Sequence, residues 1–146
     1  MLRLVCAFAC LLSATTVSFF PAAAQDDAIA ARKAILRSFG AASRDPGQML
    51  RGDAAFDLAK VQASLKVFAE GAAKLPAFFP DNSKTGDTKA APAIWAEKAK
   101  FDALAAKFAS DATSAAGAIK DEASFKATMP EVLGACSACH RSYRLR

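Results

Sequence analysis

Apolar residues return every three or four positions along most of this chain, the spacing of a helix with one buried face. The clearest run is Leu58, Val61, Leu65, Phe68, Ala72 and Leu75, which lie on one stripe of a helix. Asp53 offers an N-cap to it and Pro76 a stop. An earlier helix is expected to begin at Asp26 or Asp27, whose carboxylates can accept from the free amides of a first turn. It turns Ile29, Leu36 and Phe39 inward and ends between Gly40 and Gly52.

The stretch "PAFFPDNSKTGDTKAAP" is rich in Pro, Gly, Asp and Asn, which excludes helix from its interior. Phe78 and Phe79 are expected to pin this loop to the body. Pro92 suits the first position of a third helix, where its missing N–H costs nothing. Ile94, Phe101, Leu104, Ala105, Phe108 and Ala112 then share one side. The last helix starts near Asp121 and carries Phe125, Met129, Val132, Cys136, His140 and Tyr143, with Pro130 either kinking it or restarting it.

No segment alternates apolar and polar residues with β-branched enrichment, so strands are not expected. Four amphipathic helices hide their stripes most economically in an all-α, antiparallel, up-down-up-down four-helix bundle. With 146 residues, 53% of them hydrophobic and 23% charged, the chain suits one packed domain. Solenoid-type repeats are absent from it.

The first 24 residues, "MLRLVCAFACLLSATTVSFFPAAA", need a separate reading. Arg3, an apolar run from Leu4 to Phe20, and Ala22 and Ala24 in an A-x-A arrangement match a secretory signal peptide. A membrane anchor competes less well, because the run falls short of the ~20 residues of a bilayer span. A lipoprotein site at Cys10 is disfavoured because the apolar run continues past it. Removal of residues 1–24 leaves a domain over 25–146 and predicts a periplasmic protein with no stable membrane anchor. Cys6 and Cys10 depart with the signal, which leaves Cys136 and Cys139 as a single close pair.

The formal charge of +5 falls by one unit with Arg3, a modest excess suited to solubility and weak steering toward acidic partners. Basic residues are scattered among acids along the helices instead of forming a stripe with aromatics, which argues against nucleic acid as a partner.

The chemistry is concentrated in the tail, "GACSACHRSYRLR", where the only histidine follows a C-x-x-C pair directly. On a helix, at about 100° per residue, Cys136, Cys139 and His140 occupy adjoining positions of one face. Structural zinc would need four such ligands and this string offers three. A thioredoxin-like pair belongs at a helix N-terminus beneath a sheet, and no strands are foreseen. A disulfide would close a tiny loop and leave His140 without a role. Covalent haem uses all three residues: the thiols form thioethers with the vinyl groups and the imidazole binds iron.

Over nearly all of the expected mature region the chain resembles the class II c-type cytochromes, meaning cytochrome c prime and its low-spin relatives. The resemblance is carried by "ARKAIL", "FDLAKVQASL", "FFPDNSKTGDTKAAPAIWAEKAKF" and "FKATMPEVLGACSACHRSYR", with the haem motif near the C-terminus. These cytochromes are themselves among the standard examples of up-down-up-down bundles.

The resemblance implies one haem c attached through Cys136 and Cys139, with His140 as the proximal iron ligand and metal site. Tyr143 and Arg144 match the "YR" after the motif, where the arginine lies near the proximal face. Arg32 matches a first-helix arginine that approaches a haem propionate, with an ordinary exposed charge as the bland alternative, and Lys33 takes the following place. Trp95 matches an "IW" pair and is expected in the core; Ala93 stands where an acidic residue is common.

The informative departure is Leu36, which stands where low-spin members carry a methionine that supplies the sixth ligand. Leucine has no donor atom, so five-coordinate, high-spin iron is expected, with Leu36 and Phe39 crowding the open face. Met49 and Met129, the other methionines outside the signal, are expected to pack. The reading is an exported one-electron carrier that works with redox partner proteins, with NO or CO binding as the alternative. Catalysis is not expected, because the sole imidazole is committed to iron and no general base or nucleophile is evident. The family also suggests a possible homodimer through the first two helices.

Overall fold

The computed structural model describes residues 22–146. The apolar stretch read as a signal, with Cys6 and Cys10, lies almost wholly outside the described residues. Four long helices dominate: α1 (Ala22–Ala42), α3 (Leu58–Lys74), α5 (Lys98–Ala118) and α6 (Glu122–Tyr143). Between them sit short α2 (Arg44–Arg51), one-turn α4 (Ala93–Ala96) and two 3-10 turns, Leu75–Phe78 and Asp81–Ser83. The expected all-α bundle is what the chain forms. None of the described helices is long and apolar enough to cross a membrane.

Packing runs from α1 onto α3, from α3 onto α5 along the most extensive interface, and from α5 onto α6. Val61, Leu65, Phe68, Ala112, Phe125 and Met129 are sealed between these helices, with Met49 of α2 and Phe79 of the loop joining the same core. The fourth side of the bundle, between α1 and α6, has no comparable direct interface. At one end of that side α2 packs on α1, α3 and α6, with Pro46 and Met49 buried.

Several helix ends differ from expectation for local reasons. α3 is capped by Asp57, not Asp53: the Asp57 carboxylate accepts from the Lys60 amide at 3.1 Å. Asp53 instead takes a 2.8 Å hydrogen bond from Arg51 Nε just past Gly52, which ends α2 at φ +81°. α1 already begins at Ala22, so Asp26 and Asp27 lie inside it and cap nothing, and the expected cleavage point after Ala24 falls in its first turn. Pro92 precedes only the single turn of α4. The chain breaks at Glu97 (φ −123°, ψ 41°), whose carbonyl then accepts the first hydrogen bonds of α5.

Leu104 does not join the core: it stands about 60° from Phe101 around α5, at the rim of the buried stripe, and is 39% exposed. α6 runs unbroken through Pro130, so no second helix starts there. Its N-terminus carries a capping box, in which Asp121 accepts from the Ser124 amide at 2.8 Å and Ser124 Oγ accepts from the Asp121 amide at 3.1 Å. In the loop, Phe79 is buried edge-on to Phe101 at 4.8 Å between ring centroids, whereas Phe78 is half-buried.

Candidate functional site

The inward stripe of α6 changes character along its length. Phe125, Met129 and Val132 are buried, Cys136 and Cys139 are half-buried, His140 is exposed, and Tyr143 is buried again. Helical geometry puts Met129, Val132, Cys136, His140 and Tyr143 within about 80° of one another around the axis, with Cys139 just beside them. The motif therefore lies on the core-facing side of the helix, where protein covers the turns before and after it but not the motif itself.

α1 shows the same interruption. Ile29, Arg32 and Phe39 are buried, while Leu36 between them is 40% exposed. The two interrupted faces belong to the two helices that have no comparable direct interface. A flat, largely apolar group held on α6 and covered by Leu36 suits this arrangement.

The donor set has the chemistry of tethering and single ligation. Cys136 and Cys139 are free thiols. Burial pushes both above the ordinary thiol range, so they are held protonated at neutral pH. They sit near the C-terminal end of a 22-residue helix, where the helix dipole opposes a thiolate. A disulfide-exchange pair would need the reverse.

His140 is pushed below its usual value by partial burial and by the nearby Arg144 charge, which favours the neutral, ligating imidazole. Among the described residues no group of three or more His, Cys, Asp or Glu side chains is placed to hold a metal ion.

The remaining expected residues divide. Tyr143 is buried, stacks edge-on to Phe101 at 5.3 Å, and donates a long 3.4 Å hydrogen bond to Glu97 Oε2. Its phenol is pushed upward by burial and by the Glu97 charge. Arg144 is exposed one turn beyond His140. Trp95 packs against the core, with its indole N–H donating to the carbonyls of Phe79 and Pro80, both at 3.1 Å. Met49 and Met129 are both buried in the core. Lys33 pairs with Asp87 at 2.6 Å.

Arg32 is neither an exposed charge nor free. At 2% exposure it donates from Nη1 to Phe78 O (3.2 Å) and Ser83 Oγ (2.7 Å), and from Nη2 to Ser83 O (2.9 Å) and Thr88 Oγ1 (2.8 Å). Its guanidinium also lies 4.8 Å from the Phe79 ring centroid. Ser83, Thr88 and Glu97 were invisible as partners in the sequence, since each meets its counterpart from 46 to 56 residues away. Only the burial that polar groups require of their partners could have hinted at them.

Residues 27–144 match the family model described as Cytochrome C'. The chain belongs to that family. It is 55% identical over 126 residues to cytochrome c' of Rhodopseudomonas palustris, covering 86% of each chain. It is also 38% identical over 126 residues to cytochrome c-556 of the same organism, covering 83% of this chain and 85% of that one.

A solved structure of the Rhodopseudomonas palustris cytochrome c' superposes with a TM-score of 0.80 at 55% identity, over 82% of this chain and 97% of that one. A structural model of oxidized cytochrome c556 from R. palustris gives 0.74 at 34% identity, over 83% and 98%. As a cytochrome c' family member the protein is a c-type cytochrome whose cofactor is covalently attached haem c. The free thiols, the neutral imidazole and the uncovered inward faces fit that group.

Proposed function

We propose that this cytochrome is an exported one-electron carrier whose haem is tethered through Cys136 and Cys139 and ligated by His140, with no side chain from α1 as a second ligand. The haem supplies a ferric–ferrous couple when bound. The observation that carries the proposal is the pairing of two interrupted inward faces, one bearing two free thiols and an exposed imidazole, the other bearing Leu36. Cys136 and Cys139 would fix the group on α6, and His140, whose neutral form is favoured, would ligate it from the same face of the helix. Leu36 would meet the group from α1 with carbon alone and offer it no lone pair.

A second reading is favoured by the same leucine: an apolar cover admits small uncharged diatomics such as NO or CO and disfavours anions. Electron exchange with an isolated redox partner protein tests the first reading, and titration of the ferrous protein with NO tests the second. Residues 1–24 are assigned as an export signal to the periplasm, and mass spectrometry of the mature N-terminus is expected to find Gln25. The homodimer through the first two helices that the family suggests is tested by sedimentation of the holoprotein.

A further inference from the structure

The geometry points to the segment Phe78–Ala91 acting as a strap that fixes the distance between α1 and α6 at the haem site, with Arg32 and Thr88 as its positioning residues. This rests on the haem placement proposed above. α1 and α6 have no direct interface comparable to those of the other neighbouring pairs of long helices, which leaves their spacing to the elements that touch both. α2 does so at one end. At the other end the loop is bonded to both helices.

On the α1 side the ties are the four Arg32 hydrogen bonds, the 3.0 Å bond from Gln25 Nε2 to Thr85 O, and the Lys33–Asp87 pair. On the α6 side the Ala91 amide donates to Tyr143 O at 3.0 Å and the Leu145 amide donates to Lys89 O at 2.8 Å. These flank an isolated antiparallel bridge between Ala90 and Arg144.

Thr88 joins the two sets. Its Oγ1 accepts from Arg32 Nη2 at 2.8 Å and from the Ala90 amide at 3.1 Å, next to Lys89, whose carbonyl accepts from Leu145, and three residues before Ala91, whose amide donates to Tyr143. The strap meets α1 one turn before Leu36 and meets α6 one turn after His140. It therefore clamps both walls beside the position where a small ligand would enter. Loosening it widens the gap under Leu36 without touching Leu36, Cys136, Cys139 or His140.

The test uses the holoprotein with Thr88→Val, which removes the shared acceptor at nearly constant shape, and Thr88→Ser, which restores it. Thr88→Ala serves as a second deletion of the hydroxyl. Val61→Ala, a fully buried change on α3 away from the loop, is the control for a general loss of stability.

Two readouts are taken: hydrogen exchange at the Ala91 and Leu145 amides, and the CO association rate of the ferrous protein. Loss of the two Thr88 bonds is expected to speed exchange at both amides roughly tenfold, with CO association faster by a factor of several. Thr88→Ser is expected to return both readouts to the parent values, and Val61→Ala to leave both within about twofold at matched thermal stability. Deletion variants that match the parent or the Val61→Ala control in exchange and in CO rate would overturn the strap. If the parent protein does not bind CO at all, the open-iron reading fails, while the exchange comparison still decides the strap.

Discussion

Gly71 of α3 lies against the edge of the Phe39 ring of α1, so that a Cβ at Gly71 would run into Phe39 Cε1 and sit 2.9 Å from Cζ. The ring cannot retreat, because it stands edge-on to Phe68 at 5.9 Å and to Phe108 at 5.7 Å. Two effects oppose each other in Gly71→Ala. Helix propensity favours alanine by about 1 kcal/mol, and overpacking a filled core costs about 1–3 kcal/mol. The steric effect wins, and denaturant titration of the holoprotein is expected to show a net loss of about 1 kcal/mol. Gly134 of α6 meets nothing within 4 Å, so Gly134→Ala is expected to gain about 0.5–1 kcal/mol in the same experiment. A stabilised Gly71→Ala would contradict the packing.

Leu36→Met places a thioether on α1 where the low-spin members of the family carry one. The ferric spectrum of this variant is expected to become low-spin and methionine-ligated, with CO binding to the ferrous form weakened. An unchanged high-spin spectrum would mean that residue 36 does not cover the iron.

Cys136→Ser and Cys139→Ser are each expected to lower the yield of covalent holoprotein, measured by intact mass. His140→Ala is expected to keep the covalent mass and lose the parental spectrum, since tethering and ligation belong to different residues. A parental spectrum from His140→Ala would remove the ligand assignment.

The Asp121 carboxyl is held below the usual range by hydrogen bonds from the Ser124 side chain and amide. With the folded-state value depressed, its stabilising contribution is present above the unfolded value of about 4 and is lost as pH falls toward the folded one. Asp121→Ala is therefore expected to lower Tm at pH 7, with the difference from the parent shrinking in acid below about pH 4. A gap that widens on acidification would contradict the sign.

The helical stripes were legible because periodicity is a local property: Leu58, Val61, Leu65 and Phe68 announce one buried face without reference to the rest of the chain. The tail motif was legible for the same reason, its three groups lying within five residues. What could not be read was set by tertiary contact. Arg32 looks like any helix-surface arginine until the loop folds over it and presents Phe78 O, Ser83 and Thr88.

Asp53 was read as the cap of α3, but the role fell to Asp57, whose carboxylate reaches an amide of the first turn. The break at Glu97 carries no glycine or proline signal; it lies two residues past Trp95, whose indole is tied to the carbonyls of Phe79 and Pro80, partners that no local pattern announces. Leu36 was expected to turn inward with Ile29 and Phe39; it falls on their stripe of α1 but is 40% exposed, because α6 makes no comparable interface with α1 there.

The most direct measurement is the intact mass of the protein purified from cells with cytochrome c maturation, together with its ferric and ferrous spectra with and without CO. The expected result is a coloured protein whose mass equals residues 25–146 plus one haem, with a ferrous spectrum that changes on adding CO. A colourless protein at the bare polypeptide mass would contradict attachment through Cys136 and Cys139, and a low-spin spectrum indifferent to CO would contradict the open face beneath Leu36.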